Sequence, residues 1–182
     1  MIPNATLEAA AYALMFKAAI EIPEDYKAGI KAMAETEEQE LSKFVLLSMI
    51  ENWEAAEADR RAMCADTGVP RYYVKVGNEA RLEGGFVALE RALRRATARA
   101  TRDVPLRPNR VHPLSRKDNN NNVGINAPEI DWSFEPDADW IDITAVHKGG
   151  LFGTDYRMLF PGDGIEGIKR FFLDVMVQFG RR

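Results

Sequence analysis

The sequence contains one cysteine and two histidines among 182 residues, so it is poor in the side chains that disulfides and most metal sites require. A single cysteine cannot form an internal disulfide framework, and it is typical of proteins kept in a reducing compartment. No Cys-x-x-Cys pair is present, which excludes a closed zinc site of the common type. These absences leave one thiol, Cys64, whose role has to be explained.

Long apolar runs and an excess of basic residues are also absent. No run approaches the roughly 18 apolar residues that a membrane-spanning helix needs. The N-terminus lacks the basic start and apolar block of a signal peptide. The 24 basic and 28 acidic residues give a net charge of −4, whereas nucleic-acid-binding proteins normally carry a basic surface. The sequence therefore predicts a cytoplasmic protein that binds neither membrane nor nucleic acid.

Apolar residues recur at helical spacing throughout residues 1–62 and predict three helices there. The first two cover about residues 4–20 and 23–34, with Pro23 in the first turn of the second. The third has acidic residues at its start and two arginines at its end, in agreement with the helix dipole. The residues of its predicted inward face are Leu41, Phe44, Val45, Ser48, Met49, Trp53 and Ala56. We expect these helices to form a layer that covers a sheet.

The pattern changes after Gly68 to that of strands separated by loops. Residues 71–76 are rich in aromatic and β-branched side chains and predict a strand, and residues 85–101 predict a helix. Two further strands are expected at residues 129–134 and 140–146, and the turn residues between them predict a hairpin. The order of these elements indicates that the strands of the sheet follow the helical lead in the sequence.

Asp163 is expected to cap a last helix with an apolar face, and exposure of that face would indicate a missing partner or a missing C-terminal region. Helices followed by loop-separated strands favour an α+β fold over a regular alternation. We therefore expect one α+β domain over residues 1–182, with a helical lead at 1–62 and an α+β portion at 63–182. The sheet of this domain is expected to be small, mixed or antiparallel, and accompanied by two further helices.

Residues 64–68, Cys-Ala-Asp-Thr-Gly, lie at the predicted boundary between helix and strand, where side chains can project into a cleft. A lone cysteine is more often a small buried apolar residue than a functional one. As a nucleophile, Cys64 would need a histidine base, and only His112 and His147 are present in the sequence. The residues alone therefore leave open a buried thiol and a cysteine hydrolase.

Two loops have the composition of anion-binding segments. Residues 105–117 form a basic loop stiffened by prolines, in which Arg107 can bind a carboxylate through two parallel hydrogen bonds. Residues 148–150, Lys-Gly-Gly, allow backbone N–H groups to approach an anion closely. The alternatives are a solvated loop and a plain turn, and the asparagine run at 119–122 is interpreted as a flexible turn.

Six segments occur in an order that is typical of one enzyme family. They are Cys64-Ala65-Asp66-Thr67-Gly68, Val74-Lys75-Val76-Gly77, Pro105-Leu106-Arg107, Arg116-Lys117 with the asparagine run, Lys148-Gly149-Gly150 and Pro161-Gly162-Asp163-Gly164-Ile165-Glu166-Gly167-Ile168-Lys169. In this register the chain resembles the N-terminal, or alpha-subunit, part of the iron–sulfur hydro-lyases, the class I fumarases and L-tartrate dehydratases. The similarity covers essentially the whole chain.

The resemblance implies a carbon–oxygen lyase that adds or removes water on a 2-hydroxy dicarboxylate such as malate or tartrate. It also implies a 4Fe–4S cluster with an open iron that acts as a Lewis acid, and it places Cys64 in the position of the first cluster ligand. Asp66 and Thr67 match residues beside that iron and are the expected catalytic residues. The expected substrate-binding residues are Arg107, Lys148, Gly149 and Gly150.

Two residues depart from the family pattern, because Ala65 replaces a glutamine and Leu151 replaces a third glycine. The family's other cluster cysteines lie beyond the end of this chain, and one thiolate does not hold such a cluster. We therefore expect the site to be completed by a beta-type subunit or by a further C-terminal region. The protein is expected to form an oligomer. The alternative is a non-catalytic relative that has lost the cluster and binds a dicarboxylate or acts as a regulator.

Overall fold

The computed structural model describes residues 1–64, 66–149 and 155–180. The chain divides into two compact units, Met1–Gly149 and Gly150–Arg182, which are described separately below. The interpretation of residues 1–182 as one domain of a larger hydro-lyase region stays a prediction.

The first unit contains four helices and three strands among its described residues, and the second contains one helix after a short 3₁₀ turn, Pro161–Asp163. In chain order the elements are α1 (Asn4–Ile20), α2 (Glu24–Thr36), α3 (Glu40–Asp59), β1 (Val69–Gly77), α4 (Gly85–Asp103), β2 (Glu129–Glu135), β3 (Ile141–Lys148) and α5 (Gly164–Gly180). This order confirms the predicted α+β class, with three helices before the first strand and two after it.

The three strands form one mixed sheet with β1 in the centre. β2 pairs with β1 in parallel and β3 pairs with β1 in the antiparallel sense, so that the order is β2-β1-β3. The predicted hairpin between β2 and β3 is therefore wrong. Each of these strands pairs with one edge of β1, whose side chains Tyr72, Val74 and Val76 belong to the main core.

The connection from β2 to β3 crosses the end of β1, and backbone hydrogen bonds hold it there. The Gly77 N–H donates to the Trp140 carbonyl at 2.9 Å, and the Glu79 N–H donates to the Ala138 carbonyl at 2.8 Å. A Cβ on Gly77 would lie 2.3 Å from the Ala138 carbonyl oxygen. The absence of a side chain at Gly77 thus allows the crossing that replaces the expected hairpin.

The main core lies between one face of the sheet and the helices α1 and α4. Its buried residues are Leu7, Ala11, Met15, Tyr72, Val74, Val76, Leu89, Leu93, Ala96 and Ala100. Each fully buried large apolar side chain contributes about 1.5–3 kcal/mol to the free energy of unfolding. The fully buried alanines, Ala11 and Ala96, allow close approach where α1 packs beside α4.

Helices α2 and α3 pack against each other, and the predicted inward face of α3 is only partly buried. Trp53 and Ala56 are buried, whereas Leu41 and Phe44 are 70% and 66% exposed. The prediction that the whole apolar stripe packs inward is wrong for its N-terminal half. A helical period shows that a stripe exists, but it does not show which surface covers it.

The second unit holds α5, whose first turn follows Asp163. The Asp163 carboxylate accepts a hydrogen bond from the Phe160 N–H at 2.7 Å, and Arg157 forms an ion pair with Asp174 at 3.0 Å. Several apolar side chains of the helix are exposed, with Phe172 at 62% and Met176 at 66%. We expected such exposure to indicate either a missing partner or a missing C-terminal region.

No helix in the described ranges has both the length and the apolar composition that crossing a membrane requires.

Candidate functional site

The chain reaches Cys64 through a short segment that is anchored to two helices. Arg60 ends α3 in the left-handed conformation with φ 53°. The Met63 N–H then donates to the Ala19 carbonyl at 3.1 Å, and Asn52 Nδ2 donates to the Met63 carbonyl at 2.9 Å. These bonds hold both backbone groups of Met63, the residue directly before Cys64. The thiol itself is exposed.

An open cleft of about 550 Å³ lies beside this segment. The residues that line it are Arg61, Ala62, Cys64, Thr67, Val104, Pro105 and Arg107. Three of the residues expected from the sequence to act together, Cys64, Thr67 and Arg107, therefore line one cleft, although Arg107 lies 40 residues beyond Thr67 in the chain. Their chemical roles stay predictions.

Thr67 connects the cysteine segment to the arginine loop. Its hydroxyl donates to the Arg107 carbonyl at 3.2 Å, and the Thr67 side chain is buried. The Arg107 residue is exposed, so its guanidinium is available to an anion in the cleft. Thr67 thus fixes the backbone of the residue that is expected to bind a carboxylate.

Gly68 brings the cysteine segment against the end of β3. Its φ is +71°, and a Cβ at this position would lie 2.4 Å from the Lys148 carbonyl carbon and 2.6 Å from the Gly149 nitrogen. Only glycine adopts this conformation without strain and leaves room for the crossing chain. The predicted glycine loop therefore passes directly beside the segment 64–68.

Asp66 lies at the same crossing. Its Oδ1 accepts a hydrogen bond from the Gly68 N–H at 3.3 Å, which closes a turn within the segment. Its Oδ2 lies 3.1 Å from the position that a Cβ on Gly149 would occupy. Asp66, Lys148 and Gly149 are thus brought together, while Gly150, Ala65 and Leu151 lie outside the described residues.

Two asparagines that the sequence analysis did not select connect these parts. Asn109 Nδ2 donates to the Gly68 carbonyl at 2.7 Å. Asn122, the last residue of the asparagine run, is buried and bonds to both Arg107 and Asn109. A run of asparagines suggests only tolerance of left-handed backbone, so the interpretation as a flexible turn could not identify the one member that folds inward.

Neither histidine serves Cys64 as a base. His147 Nε2 donates to the Met15 carbonyl at 2.9 Å, and His112 Nδ1 accepts the Ser115 N–H at 3.1 Å. Within the ranges 1–64, 66–149 and 155–180, the Cys64 sulfur forms no hydrogen bond with either ring. Burial lowers the pKa of His147, and the hydrogen bond with the Met15 backbone opposes that shift. The geometry does not support a cysteine hydrolase.

The described residues do not form a complete metal site. No group of three or more histidine, cysteine, aspartate and glutamate side chains converges among them. Cys64 is the one cysteine of the sequence, and a 4Fe–4S cluster is held by several thiolates. The residues present in this chain therefore do not fit a whole cluster, although an exposed thiol in a cleft is suited to donate one ligand.

A family model described as fumarate hydratase (Fumerase) matches residues 8–182. The chain belongs to this family. It is 39% identical over 172 residues to a protein of Methanocaldococcus jannaschii that is provisionally named L(+)-tartrate dehydratase subunit alpha. It is 31% identical over 153 residues to the L(+)-tartrate dehydratase alpha subunits of Escherichia coli strain K12 and Shigella sonnei strain Ss046. The family expected from the six segments is therefore confirmed.

The alignments cover most of this chain but only part of each relative. They include 92% of the chain and 59% of the M. jannaschii protein, and 82% of the chain and 49% of the E. coli and S. sonnei proteins. The chain thus spans between about half and three-fifths of the length of the curated relatives that it matches.

Proposed function

We propose that this chain is a component of a hydro-lyase that acts on a 2-hydroxy dicarboxylate of the malate or tartrate type. Family membership supports the reaction class, and the similar proteins are named as tartrate dehydratase alpha subunits. The observation that carries the proposal is that Cys64, Thr67 and Arg107 line one cleft. Asp66 lies beside Gly149, where the segment 64–68 passes the end of β3. Alone, the chain is incomplete and inactive.

Arg107 is proposed to bind one carboxylate of the substrate. Its guanidinium offers a planar pair of N–H donors that match a carboxylate, and its backbone is fixed by Thr67. The exposed Lys148 supplies a second positive charge beside the Gly149 backbone. Two cations on separate loops suit a substrate that carries a carboxylate at each end, which is the property that distinguishes malate and tartrate from monocarboxylic acids.

Asp66 is proposed to act on the substrate between these charges, and Thr67 is proposed to support the site through the Arg107 loop. Asp66 is a carboxylate in contact range of the glycine loop, and it is suited to accept or return the proton that accompanies loss or addition of water. The Thr67 hydroxyl already donates a hydrogen bond to the Arg107 carbonyl. We therefore assign Thr67 to holding the arginine loop in place and Asp66 to proton transfer.

The 4Fe–4S cluster belongs to the proposal only as a shared group. Cys64 contributes one thiolate, and sequence outside this chain contributes the others, because this chain contains no second cysteine. A beta-type subunit or a further C-terminal region is the proposed partner, in a cytoplasmic oligomer. The exposed apolar side chains of α5, including Phe172 and Met176, are consistent with such an association.

The test is reconstitution with the product of the neighbouring gene. Both polypeptides are purified together without oxygen, supplied with iron and sulfide, and assayed with fumarate, malate and tartrate. The proposal predicts a brown protein with hydratase activity that Cys64→Ala abolishes. Arg102→Ala serves as control, because Arg102 is an exposed arginine on α4 outside the cleft. Absence of activity on all three acids, or full activity of Cys64→Ala, would contradict it.

A second candidate is a dicarboxylate-binding relative without a cluster. The observation that favours it is the single cysteine together with the absence of a three-ligand group among the described residues. This candidate predicts a colourless protein that binds malate or tartrate in titration calorimetry without iron. Binding that is lost in Arg107→Ala and retained in Cys64→Ala would favour it over the hydro-lyase.

A further inference from the structure

Asn122 uses every polar atom of its side chain. It is 2% exposed, and its Oδ1 accepts the backbone N–H of Asn109 at 2.8 Å. Its Nδ2 donates to the Arg107 carbonyl and to Thr101 Oγ1, each at 3.2 Å. Only an amide side chain supplies one acceptor and two donors in this arrangement. The position therefore specifies asparagine by chemistry as well as by its backbone conformation.

The anchor of these bonds is helix α4. Thr101 lies in its last turns, and its hydroxyl donates to the Thr97 carbonyl at 2.8 Å. Both threonines are buried against the core. Asn122 thus connects the loop of Arg107 and Asn109 to a rigid element of the first unit.

The Arg107 carbonyl accepts two hydrogen bonds, one from a residue before it in the sequence and one from a residue after it. Thr67 Oγ1 donates from the cysteine segment, and Asn122 Nδ2 donates from the asparagine run, both at 3.2 Å. Asn109 completes a closed ring of bonds, since its side chain donates to the Gly68 carbonyl at 2.7 Å. The backbone that follows the Arg107 side chain, from the Arg107 carbonyl to Asn109, is therefore held by bonds that do not involve the guanidinium.

We propose that Asn122 is a positioning residue for the carboxylate site, through which the direction of the Arg107 side chain is set. The inference rests on the proposed function of Arg107. The guanidinium lies several bonds away from the fixed carbonyl, so a small backbone shift moves it far enough to lose the paired geometry that a carboxylate requires. Asn122 itself does not contact the substrate.

The experiment compares two asparagines of the same run. Asn122 and Asn120 have φ values of 56° and 55°, so glycine preserves the left-handed backbone at both. Asn120 is exposed, and its backbone N–H rather than its side chain makes the bond to Asp118. In the reconstituted enzyme, Asn122→Gly is expected to raise KM for malate or tartrate about tenfold with kcat little changed, and Asn120→Gly to leave both unchanged.

A double-mutant cycle separates positioning from general stability. If Asn122 acts through Arg107, Asn122→Gly adds little to KM in an Arg107→Ala background, although it costs about tenfold with Arg107 present. Equal cost in both backgrounds, or a KM within twofold of the unmodified enzyme, overturns the inference. If the glycine variant does not fold, Asn122→Asp is the second variant, because it keeps the acceptor and loses both donors. The same increase in KM is expected for it.

Failure of the proposed function gives a different result. An unmodified complex that neither turns over nor binds the three acids overturns the role of Arg107 and this inference with it. An active complex in which Arg107→Ala raises KM but Asn122→Gly does not overturns the inference alone.

Discussion

The backbone of Gly68 lies against that of Lys148, with so little space that a Cβ on Gly68 would be 2.4 Å from the Lys148 carbonyl carbon. This crossing joins two segments that are 80 residues apart, the turn after Cys64 and the end of β3. Antiparallel pairing of β1 with β3 brings Val69 opposite Lys148 and so places Gly68 at the crossing. The candidate site is therefore formed where the central strand begins.

Gly68→Ala is expected to destabilise the protein strongly, because the new methyl group meets backbone that cannot rotate away. The expected loss is roughly 2–4 kcal/mol in the free energy of unfolding. Gly85→Ala is the matched control, since its φ is +69° and a Cβ there meets nothing within 4 Å. That variant measures the conformational strain alone, at about 1 kcal/mol. Urea denaturation of both variants measures these losses. Equal losses in the free energy of unfolding for the two variants would contradict the prediction.

Gly149→Ala is expected to affect the site more than the fold. The added Cβ would lie 3.1 Å from Asp66 Oδ2, so the carboxylate has to move by a few tenths of an ångström. We expect a change below about 1 kcal/mol in stability and a clear loss of kcat, because a small misplacement of a reacting group slows chemistry. Gly29→Ala, where a Cβ meets nothing within 4 Å in the middle of α2, is the control. It should leave kcat unchanged and increase stability.

Arg107→Ala is expected to raise KM for dicarboxylates about 100-fold, because a paired charge-assisted interaction contributes about 3 kcal/mol to binding. Folding should be little affected, since the side chain is exposed and the fixed carbonyl belongs to the backbone. Arg102→Ala, on α4, should change neither property. Steady-state kinetics and thermal unfolding of the reconstituted enzyme provide the measurement. If Arg107→Ala leaves KM unaltered, Arg107 does not bind the substrate carboxylate.

His147 is expected to make the fold less stable in mild acid. Burial lowers its pKa below the ordinary value of 6.5, so the unfolded chain binds the proton more readily than the folded one. Stability from this group is therefore complete above pH 6.5 and is lost as the pH falls toward the folded pKa. Denaturant titrations at neutral pH and in mild acid measure the loss.

Two variants attribute that loss to the correct histidine. His147→Gln retains a donor for the Met15 carbonyl and should remove most of the pH dependence. His112→Gln should keep it, because His112 is exposed in the basic loop. The same acid sensitivity in His147→Gln as in the unmodified protein would rule out His147 as its source.

The parts of the site that follow local patterns were predictable, and the parts that depend on packing were not. The segments with Cys64, Arg107 and Lys148 have compositions and an order that identify the family. Asn122 carries no such signal, because it is identical to its three neighbours in sequence and differs from them in its burial and its side-chain hydrogen bonds. Which asparagine turns inward is decided by the position of Thr101 and the Arg107 carbonyl.

The sequence by itself determined the helices, the strands, the α+β class and the family, since helical and strand periods depend on neighbouring residues and the family segments keep a fixed order. Only the tertiary structure decided that β1 separates β2 from β3, that half of the α3 stripe stays exposed, and that Gly68 meets Lys148. The physical reason is the same in each case. A local pattern states that a surface or an edge exists, whereas its partner is chosen by competition among distant segments for burial and hydrogen bonds.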